Sequence, residues 1–146
     1  MKQETFETID FWDIWSLRLS ETASRFEVGT PSTVSFIGAA EAVKLLLNFG
    51  IENIEKRVLK LTDYLIEKIK TLGLKLQTPE EPQHRSGIVN FKIDKPKEVL
   101  ESLKCNKIVV SARANGIRVS PHFYNTELEI DKLIEEIKKH IGLMPI

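Results

Sequence analysis

Arg118, in the run Gly116-Ile117-Arg118-Val119-Ser120, carries a group of the kind that can hold a small organic acid. A guanidinium is planar, keeps its charge, and offers a fork that pairs with a carboxylate at two points, which a lysine does not reproduce. His122, Tyr124 and Asn125 follow in the turn before the last helix, where their aromatic and polar character suits the wall of a site; Ser111 and Arg113 flank the mouth of a hairpin just upstream. Near the other end, Gly29-Thr30-Pro31-Ser32 leads into a helix. A hydroxyl and free amides at a helix N-terminus, beside a flexible glycine, can receive an anion with the helix dipole in its favour. Each residue also has a plainer reading: Arg118 as a solvated strand arginine, Thr30 as the cap of its own helix, His122 as a buried, hydrogen-bonded histidine.

Other chemistries find less support. One thiol, Cys105, excludes an internal disulfide, and with His84, His122 and His140 scattered along the chain there is no metal-ligand spacing, so no metal site is expected. Cys105 reads as a small apolar filler near a helix end. Twenty-one basic residues balance twenty-one acidic ones, which gives no electrostatic reason to expect nucleic acid or an anionic membrane as partner. No apolar run is long enough to span a bilayer, and Met1-Lys2-Gln3-Glu4 does not open like a secretion signal, which makes the cytoplasm the default location. With 146 residues and 42% hydrophobic content, one ordinary core is expected.

The elements that must position these residues can be read from periodicity. Up to about Ser24 the pattern is irregular, with Phe6, Phe11, Trp12, Ile14, Trp15 and Leu17 crowded together, either as an arm docking on another domain or subunit or as a short helix folded back on its own. A helix from about Val34 to Phe49 follows, with Thr30 or Ser32 as its cap and Gly50 ending it. Ile51, Ile54, Val58, Leu61, Leu65, Ile69 and Leu72 give the clearest helical stripe, closed by Gly73. Strands are expected at Leu74–Gln77, Ser86–Ile93, Lys107–Ser111 and Gly116–Ser120, the last two joined at Ala114-Asn115-Gly116, with a short helix from Lys95-Pro96 to Leu103 between them. Thr126-Glu127-Leu128-Glu129 fits a capping box opening a final helix through Ile141. The pattern is that of an α+β domain, a small antiparallel or mixed sheet with helices packed on one face.

Three stretches together, Arg25-Phe26-Glu27-Val28-Gly29-Thr30-Pro31, Arg85-Ser86-Gly87-Ile88-Val89-Asn90-Phe91 and Gly116 through Thr126, resemble the C-terminal small domain of class V aminotransferases, the pyridoxal-phosphate group that includes cysteine desulfurases, kynureninase-like lyases and isopenicillin N epimerase-like enzymes. The resemblance implies that residues 25–146 are that small domain and 1–24 an arm or inter-domain segment. It further implies that Arg118 holds the substrate α-carboxylate, with His122 and Arg113 nearby, and that Gly29 and Thr30 reach the cofactor phosphate of a partner subunit in a homodimer. Catalysis in the family rests on a Schiff base between pyridoxal phosphate and a lysine of the larger domain. That domain lies outside this sequence, so no catalytic residue is expected here, and the partner implied is a large cofactor-binding domain or a full-length homologue. Desulfurases carry a nucleophilic cysteine just before the strand of the arginine; this sequence has Ser111-Ala112-Arg113-Ala114-Asn115-Gly116 there, which disfavours that activity and leaves transamination, epimerisation or elimination of an amino acid. The alternative is a non-catalytic remnant or interaction module that binds a homologue or an amino acid.

Overall fold

The computed structural model describes residues 19–26, 29–30 and 32–141; most of the expected arm lies outside them. The chain divides into two compact units, Met1–Leu45 and Leu46–Ile146.

In the first unit, Ser20 and Thr22 join their hydroxyls to that of Ser24, the second residue of a 3-10 turn, Ala23–Phe26. Helix α1, Thr33–Phe49, then begins. Its cap is Ser32, whose hydroxyl accepts the amide of Ser35 at 3.3 Å, so of the two expected candidates Ser32 does this and Thr30 does not. α1 crosses into the second unit and buries none of its residues: Val34, Phe36, Ile37, Val43 and Leu47 are all more than half exposed.

The second unit holds the core. Helix α2, Ile51–Thr71, buries Leu61, Leu65 and Ile69 of the expected stripe together with Ile66, which the stripe did not include, while Ile51 at its start is exposed. It ends as glycine allows: Gly73 at φ 71° lets its own amide reach the Lys70 carbonyl and the Leu74 amide reach Ile69, satisfying carbonyls the helix would leave open. Strands β1 (Val89–Lys92), β2 (Ser111–Arg113) and β3 (Gly116–Val119) form an antiparallel sheet of order β1-β3-β2. Val89, Phe91, Ile117 and Val119 fill its inner face. Against them pack α2, α3 (Pro96–Cys105, through Val99 and Leu103) and α4 (Glu127–Ile141, through Ile130, Leu133, Ile134 and Ile137). Each such side chain contributes about 1.5–3 kcal/mol of transfer free energy.

Polar ties fix the helices to one another. The Tyr64 hydroxyl donates to Asp131 on α4 at 2.8 Å, and the Ser102 hydroxyl donates to the buried Glu136 carboxylate at 2.6 Å. The capping box forms as read: the Thr126 amide donates to Glu129 at 2.8 Å and the Glu129 amide to the Thr126 hydroxyl at 3.4 Å.

The strands depart from the sequence reading in extent. Leu74–Gln77 contributes one bridge, Leu76 opposite Phe91, with the amides of Gln77 and Lys92 bonded across. β1 begins at Val89 because Ser86-Gly87 is pressed against α2, where a Cβ on Gly87 would lie 2.6 Å from Val58. β2 begins at Ser111 and not at Lys107, since Lys107 takes φ 62° to turn the chain out of α3. The expected apolar filler, Cys105, is exposed at the end of α3 and fills nothing.

Candidate functional site

Strand register assembles the site. β3 lies at the centre of the sheet, and Arg118 on it stands directly across from Asn90 on β1 and from Ser111 on β2. Directly opposed residues share a face. Because Ile117 and Val119 point into the core, Arg118, Asn90 and Ser111 form a polar row on the face the helices leave uncovered. Lys92, Gly116 and Arg113 make the next row of that face.

Within the row, the Arg118 Nε–H donates to Ser111 Oγ at 3.1 Å. Among the described residues Arg118 has no carboxylate partner, although Arg57 pairs with Glu127 and Arg85 with Asp63. On its other side, the Asn90 Oδ1 is buried and accepts no hydrogen bond from the described residues. A half-buried cation without a counter-charge, beside an unsatisfied acceptor, is an arrangement a ligand would complete.

The hairpin that brings Ser111 and Arg118 together is tight. Ala114 and Asn115 take φ 50° and 56°, as the two central residues of a primed turn require. Gly116 is the first residue of β3 and not a turn residue; a Cβ there would sit 2.1 Å from the Phe91 carbonyl oxygen. Gln77 closes over the turn, its Nε2 donating to the Ala114 carbonyl at 3.0 Å. Arg113 is exposed and among the described residues donates to the neighbouring Ala112 carbonyl; register sets it on the same face as Arg118, one row away.

His122 is exposed, which corrects the reading of a buried, hydrogen-bonded histidine. Its ring lies against those of Phe123 and Tyr124 at 4.7 and 4.6 Å between centroids, and Phe123 in turn meets Phe49 at 4.9 Å. The loop is held by its backbone: the His122 amide donates to Asn125 Oδ1 at 2.8 Å and the Asn125 amide to the His122 carbonyl at 2.9 Å. Arg57 of α2, which the sequence reading passed over, clamps the loop from outside through Glu127 and the Asn125 carbonyl. That fork holds the Glu127 carboxyl down at about 2.

In the first unit, Gly29 at φ 88° has open space where a Cβ would be, and Thr30 is exposed. With Ser32 as the cap of α1, the Thr30 hydroxyl is left without a hydrogen bond among the described residues. No described lysine is buried. Lys68 is half-buried, but its amine is pushed up by bonding to Tyr64 and Asp131, opposite to what a nucleophilic amine needs. Among the described residues, no group of His, Cys, Asp and Glu is placed to hold a metal, and no single helix is long and apolar enough to cross a membrane.

Helices against one face of a three-stranded antiparallel sheet, and Arg118 on the other face, define an α+β domain with one polar sheet face. The profile of the family Aminotransferase class-V matches residues 4–133, and the chain belongs to that family. Similar relatives include an uncharacterized aminotransferase, YcbU, of Bacillus subtilis, 32% identical over 118 residues covering 81% of this chain and 32% of YcbU. Another, named "Probable cysteine desulfurase", of Halalkalibacterium halodurans is 30% identical, covering 93% of this chain and 37% of its own length. The apo cysteine desulfurase of Thermococcus onnurineus shares the fold, with a TM-score of 0.78 at 22% identity, over 99% of this chain and 39% of that one. The chain therefore spans about a third of the length of the relatives it matches.

Pyridoxal phosphate is the cofactor this family implies. Among the described residues, the exposed Thr30 hydroxyl beside Gly29 is a donor that a phosphate could take and the Arg118 guanidinium one that a carboxylate could take, while no described lysine is buried.

Proposed function

We propose that this chain is the small domain of a pyridoxal-phosphate enzyme acting on an amino acid, active only together with a large domain that supplies the cofactor lysine. When bound, the cofactor would supply an electron sink for charge developing at the substrate α-carbon. Arg118 would bind and orient the substrate carboxylate through its guanidinium fork. Thr30 and the amides around Gly29 would hold the phosphate of the facing subunit in a homodimer. Arg113 and His122 would line the approach, Arg113 from the same sheet face and His122 from the loop after β3. The large domain would cover the open sheet face, and α1, with no buried residue of its own, gives it an apolar surface to pack against.

The observation that carries this reading is the half-buried Arg118 with no carboxylate partner among the described residues, standing beside an unsatisfied Asn90 on the uncovered sheet face. Its test is reconstitution: the chain mixed with a separately produced large domain and pyridoxal phosphate, followed by absorbance and turnover of amino acids. A cofactor band and turnover that arise only on mixing, with Arg118→Lys raising KM about 10–100-fold, are expected. A band formed by the chain alone on one of its own lysines would overturn it.

The names of the relatives favour a second reading, cysteine desulfurase. Our inference against it rests on the two-residue turn Ala114-Asn115, which has neither a thiol nor the length to carry one to the row of Arg118, and on the exposed position of Cys105 on α3. Conversion of L-cysteine to L-alanine by the reconstituted enzyme, with sulfide released when a thiol reductant such as dithiothreitol is added and both lost on Cys105→Ser, would reverse that choice. Absence of any cofactor band with any large domain would instead leave a non-catalytic module that binds a homologue or an amino acid.

A further inference from the structure

We propose that Ser111 is a positioning residue for Arg118, fixing which edge of the guanidinium meets the carboxylate; the proposal rests on the reading of Arg118 as the carboxylate ligand. A guanidinium can present two paired edges to an acid, one made by Nε with a terminal nitrogen and one made by the two terminal nitrogens. Ser111 Oγ already takes the Nε–H at 3.1 Å. The Nε edge is occupied, and the terminal Nη1 and Nη2 edge is left for the ligand.

The tie is built by the backbone. Ser111 and Arg118 are opposed in register across a hairpin whose two-residue turn leaves no slack, and β3 is held on its other side by β1. The Ser111 hydroxyl therefore sits at a fixed distance from the arginine stem. On the opposite flank of the row, Asn90 Oδ1 is buried and has no hydrogen-bond partner among the described residues, so on that side nothing described ties the guanidinium. The serine thus does in the free protein what an acidic neighbour does in other arginine sites, with one difference. It orients the guanidinium without neutralising it, so the full charge remains for the ligand.

The test uses the whole chain, labelled with 15N at arginine, titrated with acetate and with L-alanine while the Arg118 Nε–H signal is followed by NMR. In the wild type that signal is expected to be protected from exchange with water and to shift saturably with either probe. Ser111→Ala should expose the Nε–H to exchange and weaken binding about 3–10-fold, and Ser111→Thr, which keeps the hydroxyl, should restore both. A merely structural role for Ser111 would leave Nε–H exchange unchanged. If Ser111→Ala changes neither quantity while Arg118→Lys weakens binding, the positioning role is overturned and the reading of Arg118 stands. If the wild type shows no saturable shift, or Arg118→Lys binds as well as the wild type, both fall together. Dispersed backbone amide signals in each variant show that the fold is retained.

Discussion

Arg57 donates Nη1 and Nη2 to the two oxygens of Glu127, at 2.7 and 2.9 Å, and Nη2 donates again to the Asn125 carbonyl at 2.8 Å. One side chain of α2 thereby fixes the start of α4 and the end of the loop that displays His122. The clamp depends on charge, because its hydrogen bonds hold Glu127 at about 2 instead of its ordinary 4.5. A carboxyl lowered in the folded state adds stability that is complete above its unfolded value and lost as the pH falls through its folded one. Glu127→Gln should therefore lower the urea midpoint at pH 7, and the gap from the wild type should close between about pH 4.5 and 2. A gap unchanged down to pH 2 would show that the carboxylate charge is not what holds the loop.

Ala114 occupies a left-handed position, φ 50°, at the tip of the β2–β3 hairpin. A residue with a Cβ pays for that conformation, by roughly 1 kcal/mol, and glycine does not. Ala114→Gly is expected to raise stability by about 0.5–1 kcal/mol in chemical denaturation, with no change in the β-sheet signature. A destabilised variant would mean that the alanine methyl packs usefully where the backbone angle says it should not.

Gly116 faces the opposite constraint. Its trouble is space: a Cβ would lie 2.1 Å from the Phe91 carbonyl oxygen and 2.8 Å from the end of Gln77. Gln77 is flexible and can move, whereas the carbonyl belongs to β1. Gly116→Ala should therefore cost about 1–3 kcal/mol and lower protection of the Phe91 and Ile117 amides from exchange. Unaltered protection would show that the two strands can part without loss.

The inner face of the sheet should behave as an ordinary core. Phe91 is fully buried in the core, and Phe91→Ala is expected to cost about 3–5 kcal/mol, measurable as a fall in the denaturant midpoint.

The apolar surface of α1 should be separable from folding. Ile37→Asp and Val43→Lys, both at exposed positions, are expected to change the unfolding free energy by no more than about 0.5 kcal/mol each. Under the proposed assembly they should nonetheless abolish co-purification with a separately produced large domain. Retained association would show that the large domain packs elsewhere.

What the sequence revealed and what it concealed divide by the range of the interactions. The stripe of α2 and the capping box at Thr126 are local patterns of three and four residues, and they formed as read. The α+β class and the Arg118 strand followed from the same local signals. Strand ends did not, because they depend on events outside the strand, the turn at Lys107 and the pressing of Gly87 on Val58. At the site, Ser111 was within reach of sequence reading, since a two-residue turn at Ala114-Asn115 fixes its pairing with Arg118 by arithmetic. Asn90 lay in a quoted motif but gained meaning only from the register with β3, and Arg57, seventy residues from Glu127, had no sequence signal at all.

β2, at the edge of the sheet, is three residues long and ends on Arg113. An edge so short and so charged is a poor template for a further strand. The free chain thus combines a sticky helix with a sheet border that resists recruitment, and the two differ in what they permit. Crowding of unpartnered copies would run through side-chain contacts between helices, which come apart on dilution, and not through ladders of backbone bonds, which do not. Association of copies through the apolar side chains of α1 would therefore be of the recoverable kind.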